Sequence, residues 1–135
     1  MAANVTPIFI LTPNLAEVTF VNADGTTADD LVTGGTNGSK VLSIAATSDD
    51  TSDVVAQLFI HDGATAYLVG SVNIPTLSGT DGAAVAVDIL NTTDLPWLDS
   101  DGELFLPSSY KLQIAPLAAV TAAKTVTFVC IAGDY

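Results

Sequence analysis

The side chains able to attack a substrate, exchange protons or bind a metal are few. The 135 residues include a single His, His61, a single Cys, Cys130, and no Arg. A Ser-His-Asp site would need His61 as its base. His61 stands beside Asp62-Gly63, a pair whose Gly supplies the positive φ of a tight hairpin turn, so it reads as turn punctuation. Cys130 lies in Val126-Thr127-Phe128-Val129-Cys130-Ile131, where a thiol acts as a small apolar strand residue. Thirteen Asp and two Glu could supply a carboxylate pair for glycoside hydrolysis, but most Asp fall in turns, where their oxygens bond the backbone. Asp99-Ser100-Asp101-Gly102-Glu103 has the spacing of a calcium-loop core. Trp97 stands where an EF-hand needs another oxygen ligand, and the expectation is a solvated turn. The acidic segment Asp49, Asp50, Asp53 is expected to be a solvated loop tip. No Gly-rich phosphate loop follows a strand. The inventory predicts a protein that is not an enzyme, with no catalytic residue, no metal and no cofactor.

The charge balance narrows the partners. Three Lys (Lys40, Lys111, Lys124) against fifteen acidic residues give a formal net charge of −12. That excludes nucleic acid and anionic membrane as direct partners, because both need clustered cations. Charged residues make up only 13% of the chain and hydrophobic ones 49%, against about a quarter charged in ordinary domains. A surface of hydroxyl, methyl and amide groups is cheap to desolvate, which points to an assembly protein. No basic start precedes a long apolar run, so neither a secretory signal nor a spanning helix is expected.

These residues must be positioned by strands. Two alternating runs, residues 54–61 and 66–72, flank Asp62-Gly63 and predict a central hairpin whose Val54, Ala56, Leu58 and Ile60 face the core. Further strands are expected at residues 16–21, 40–47, 83–90, 104–106, 110–114 and 125–132, the last apolar on both faces as an interior strand should be. Residues 26–38 and 91–107 read as long loops, and 115–123 as an Ala-rich loop with room for one helical turn. Residues 1–13 read as an N-terminal arm or edge strand, and residues 14–135 as one antiparallel β-sandwich of eight or nine strands, all-β and jelly-roll-like.

Thr6-Pro7-Ile8, a Thr/Asp-rich first third, the KVLSIAAT strand followed by VVAQLFIHDGAT, Leu106-Pro107-Ser108-Ser109-Tyr110-Lys111-Leu112 and a Gly133-Asp134-Tyr135 end together resemble small virion proteins of tailed bacteriophages. The nearest role is a capsid decoration, or cement, protein. The resemblance implies a structural protein made in the bacterial cytoplasm and located on the virion's capsid surface. It implies a homo-oligomer, a trimer, that bridges major capsid protein subunits. A tail- or fibre-associated receptor- or carbohydrate-binding module is the alternative, and it should show exposed aromatics along a groove. Apolar residues in the arm, the long loops and the last residue are the expected contacts with shell or neighbour: Pro7, Ile8, Phe9, Leu31, Val32, Leu95, Trp97, Leu98 and Tyr135.

Overall fold

A computed structural model describes residues 9–135, along which nine strands run in order. They are β1 (Thr12–Val21), β2 (Asp29–Thr33), β3 (Ser39–Ser48), β4 (Val54–His61), β5 (Ala66–Ile74), β6 (Val87–Asp88), β7 (Leu104–Leu106), β8 (Lys111–Pro116) and β9 (Thr125–Asp134). The only helical element among them is a 3-10 turn at Asn22–Asp24, closed by the Asp24 carboxylate accepting the Val21 N–H at 2.7 Å.

The chain folds back on itself about the β4–β5 hairpin, as a doubled ribbon. β4 pairs β5, β3 pairs β6 and β7, β2 pairs β8, and β1 pairs β9, all antiparallel. Rolling the ribbon sets β3 against β9 and β4 against β8. The result is two sheets, β1-β9-β3-β6 with β7 also on β3, and β2-β8-β4-β5. This is the strand order of a jelly roll, an all-β sandwich in which edges from both chain ends meet.

Alternation decides which side chains the layers enclose. Val54, Ala56 and Leu58 of β4 are buried, as are Ile114 of β8 beside it and Phe20, Ile44, Val126, Phe128 and Cys130 from the facing sheet. Phe20 and Phe128 meet edge to face, with centroids 5.9 Å apart and planes at 83°, the arrangement that ring quadrupoles favour. Burial pushes the Cys130 thiol up to about 12, so it is an apolar core group.

Three expectations change. Residues 26–38 are not all loop, because β2 lies within them; its pairing with β8 shifts register between Asp30 and Val32. That bulge turns two consecutive residues, Leu31 and Val32, into the core, and it hides the strand from an alternation test. Residues 83–90 are strand only at β6, since Val85 points into solvent while Ile89, whose N–H donates to Ile44 O at 2.8 Å, is fully buried. β1 starts at Thr12, inside the expected arm, and is longer than the predicted strand.

The acidic segment before the hairpin is also not a solvated tip. Asp50 is 1% exposed, and its carboxylate accepts the Thr121 N–H (2.9 Å), the Thr121 hydroxyl (2.8 Å) and the Ser52 N–H (2.9 Å). Its main-chain oxygen accepts the Thr76 hydroxyl at 2.7 Å and the Leu77 N–H. Asp49 accepts the Thr125 N–H, and Asp53 accepts the Thr76 N–H and the Asn73 amide. Burial pushes the Asp50 carboxyl upward, but the donated bonds outweigh it and hold the group below its usual value. The segment is a clasp fastening three connections at one end of the sandwich.

Candidate interaction face

One end of the outward surface of the five-stranded sheet carries a row of apolar side chains, while Glu17, Thr19, Thr127, Thr47 and Asp88 occupy the other end. Residues opposite one another in an antiparallel pair share a face. On the central strand β9, Ile131 stands opposite Leu15 of β1 and Ser43 of β3. Two residues on, Gly133 stands opposite Pro13 and Lys40, and Lys40 stands opposite Phe105 of β7. A shift of register between Val41 and Ser43 turns Leu42 outward as well. The Leu11 N–H donates to Asp134 O at 2.9 Å, which carries the β1–β9 pairing one residue further and brings Leu11 alongside Tyr135. Ile10 lies over Gly133, where an added Cβ would collide with it.

These side chains are open to solvent: Phe9 is 71% exposed, Leu11 77%, Leu15 66% and Phe105 60%, with Leu42 and Ile131 also exposed. The Phe105 and Tyr135 rings stack with centroids 6.1 Å apart and planes 11° off parallel. With Leu11 and Asn37 they line an open cleft of about 690 Å³. The Lys40 ammonium lies 5.3 Å from the Phe105 centroid and pairs with Glu103, whose hydrogen bond holds it above its ordinary value. The pairing neutralises the Phe105 end of the face, while Glu17 and Asp88 carry negative charge at its other end.

The outer surface of the other sheet is mixed: exposed Leu68 stands opposite Phe59 near the β5 edge, while polar groups gather on β2 and β8. Asp30 accepts from Lys111 at 2.9 Å and from Gln113 at 2.7 Å, and the Gln113 bond, then that of Lys111, lower its carboxyl. His61 stands opposite Lys111, and its Nδ1 accepts the Gly63 N–H at 3.0 Å. Asp62 accepts the Thr65 and Ala64 N–H groups, which depress its carboxyl. His61 thus works inside the turn that its neighbours predicted. Asp99 Oδ1 accepts the N–H groups of Asp101 and Glu103, which is turn chemistry. Among the described residues no group of three or more His, Cys, Asp or Glu is placed to hold a metal ion.

The expected contact residues divide. Tyr135 lines the cleft beside the apolar face, and Phe9 is exposed just before Ile10. Leu31, Val32, Leu95 and Leu98 do neither: all four are buried in the protomer's own core, the first two by the β2 bulge and the other two by the folding of the 91–98 connection over the sandwich. Trp97 is 38% exposed, and its indole N–H is donated to Val69 O at 2.8 Å. Pro7 and Ile8, with the first part of the expected arm, lie outside the described residues. Leu11, Leu15, Phe105 and Ile131 were not singled out. Their signal was apolar residues on the second face of strands whose first face already filled the core.

No family model matches the chain, and a search of curated proteins finds no match either. No helix among the described residues is long and apolar enough to cross a membrane.

Proposed function

We propose that this protein is a non-enzymatic capsid decoration protein of a tailed bacteriophage. It binds the outside of the icosahedral head as a homo-oligomer, a trimer, and ties neighbouring major capsid protein subunits together. The observation carrying this reading is the apolar face from Leu11 and Leu15 across Ile131 to Phe105 and Tyr135, on a chain of net charge −12. Monomeric proteins rarely leave so extended an apolar surface open, and where they do it marks a partner site. Cementing a shell needs many repeated weak contacts rather than chemistry, and a face of flat, desolvatable side chains on a rigid sheet supplies them. The acidic remainder of the surface keeps copies apart in solvent. The test is a labelled copy imaged on the native virion, with head stability measured alongside. Label on the head and added resistance of expanded empty heads to heat support the reading; loss of the protein with unchanged head stability and composition overturns it.

One feature favours a second reading, a tail-associated carbohydrate- or receptor-binding module. The stacked Phe105–Tyr135 pair borders an open cleft with the amide of Asn37, and sugars stack on such aromatic surfaces. Jelly rolls serve both capsid and lectin domains, so the fold alone does not choose. Saturable binding to a glycan, abolished by Phe105→Ala, with label on the tail would favour this reading instead.

A further inference from the structure

The turn bordering the Phe105–Tyr135 cleft holds the one Asn of the chain that is followed by Gly, Asn37-Gly38. Asn37 is exposed, while Gly38 is buried with φ 88°, where an added Cβ would press on Leu106 O at 3.2 Å. Hydrogen bonds fasten the turn from both sides. The Gly38 N–H is donated to Gly35 O at 2.9 Å, and the Gly35 N–H to Ser39 Oγ at 2.9 Å. The buried Ser39 hydroxyl is donated in turn to Asp134 of β9. The Tyr135 N–H is donated to Gly38 O at 3.2 Å, and Asn37 Nδ2 donates to Tyr135 O at 3.3 Å. Turn and strand end form one latch, and two of its members, Asn37 and Tyr135, line the cleft.

We infer that Asn37 is a site of spontaneous deamidation gated by this latch, which withholds the nucleophile while closed and releases it on opening. The nucleophile is the Gly38 main-chain nitrogen, which must give up its proton to attack Asn37 Cγ. A bond forms between that nitrogen and Cγ, the Cγ–Nδ2 bond breaks, and the amide leaves as ammonia with the Gly38 proton. Water then opens the cyclic imide at Cγ, giving aspartate, or at the Asn37 main-chain carbon, giving isoaspartate with the chain running through the side chain. Gly38 permits the ring because it sets no Cβ beside the attacking nitrogen. In the fold its proton is held by Gly35 O, and an amide held in this way reacts only through local opening. The other Asn side chains differ: Asn22 and Asn91 donate at 2.7 and 2.9 Å and precede Ala and Thr. The product undoes the latch. A carboxylate at position 37 sets an acceptor against Tyr135 O where a donor stood, and isoaspartate lengthens the main chain beneath the Gly38–Tyr135 bond. A transient opening of the cleft wall thereby becomes a permanent one. The inference does not depend on the capsid reading.

The experiment incubates the full chain at mildly alkaline pH, in buffer and in urea, and locates deamidation by peptide mass spectrometry. Asn37 is expected to react first in both, and slower in buffer by about tenfold or more. Ser39→Ala removes the links to Gly35 and Asp134, and is expected to deamidate several-fold faster than wild type in buffer and equally fast in urea. Because Ser39 is buried, wild-type hydrogen exchange at the Gly38 N–H serves as the second measurement: the buffer rate should equal the urea rate multiplied by the open fraction. Asn37→Asp is expected to speed exchange at the Tyr135 N–H several-fold. Equal rates in buffer and urea overturn the gate, as does a buffer rate that departs from the open fraction or a folded Ser39→Ala protein no faster than wild type. Faster deamidation at another Asn overturns the site, and unchanged Tyr135 exchange in Asn37→Asp overturns the effect on the cleft.

Discussion

Replacing Asp50 with Asn keeps the shape of a buried side chain and removes half of its accepting capacity. The two carboxylate oxygens take three donors between them: Thr121 N–H on Oδ2, and the Thr121 hydroxyl and Ser52 N–H on Oδ1. An amide has one accepting oxygen, and its NH2 group points a donor at whichever donor is left. At least one partly buried N–H then loses its acceptor, at about 1–2 kcal/mol, and the remaining bonds lose their charge assistance. We expect a loss of about 2–3 kcal/mol, or roughly 6–15 °C in melting temperature for a chain of this length. Thr121→Val removes only the hydroxyl donor and should cost about 1 kcal/mol. The assay is thermal and urea unfolding followed by circular dichroism. The pH dependence has a fixed sign: because the Asp50 carboxyl is lowered in the folded state, its contribution is complete above the ordinary carboxylate value and is lost as pH falls through the lowered one. The gap between wild type and Asp50→Asn should therefore narrow in acid. An Asn variant melting together with wild type at neutral pH, or a gap that widens in acid, would refute the clasp.

Three other outcomes are expected. Cys130, buried and with its thiol held at about 12, should resist thiol reagents in the native protein and react at the rate of unfolding when urea is added; fast native labelling would contradict the core placement. Gly34→Ala would drive a methyl group into the Pro107 carbonyl, and denaturant titration should show a loss of about 1–3 kcal/mol. Trp97→Phe removes the indole donor to Val69 O and should cost about 0.5–1.5 kcal/mol, measured by the same titration.

The hairpin was legible because Asp62-Gly63 separates two runs of clean alternation, and local chemistry decides both the turn and the faces. The jelly roll was legible as a class, but its strand order was not. Nothing local states that β3 meets β9 or that β4 meets β8; that is settled by rolling the ribbon. β2 escaped because its bulge puts Leu31 and Val32 side by side in the core. Asp50 escaped because three Asp within five residues look solvated, and only the approach of Thr121, 71 residues away, makes one of them a buried hub. The interaction face escaped for a simpler reason. Apolar residues on both faces of β9 suggest an interior strand, and β9 is interior within its sheet, but Ile131 on its second face stays exposed among the described residues.

The central claim is that the Leu11–Leu15–Ile131–Phe105 face docks on a capsid shell. Its most direct test is co-sedimentation of the purified protein with expanded empty heads of the tailed phage it is proposed to decorate, comparing wild type with a Leu11→Ser, Phe105→Ser variant. Both side chains are largely exposed, so the variant should fold and melt as wild type does. The account predicts saturable binding of wild type at a fixed ratio to capsid subunits and weakening by about a hundredfold or more in the variant, the loss expected when two apolar anchors are removed. Absence of wild-type binding, or equal binding by the two proteins, would contradict it.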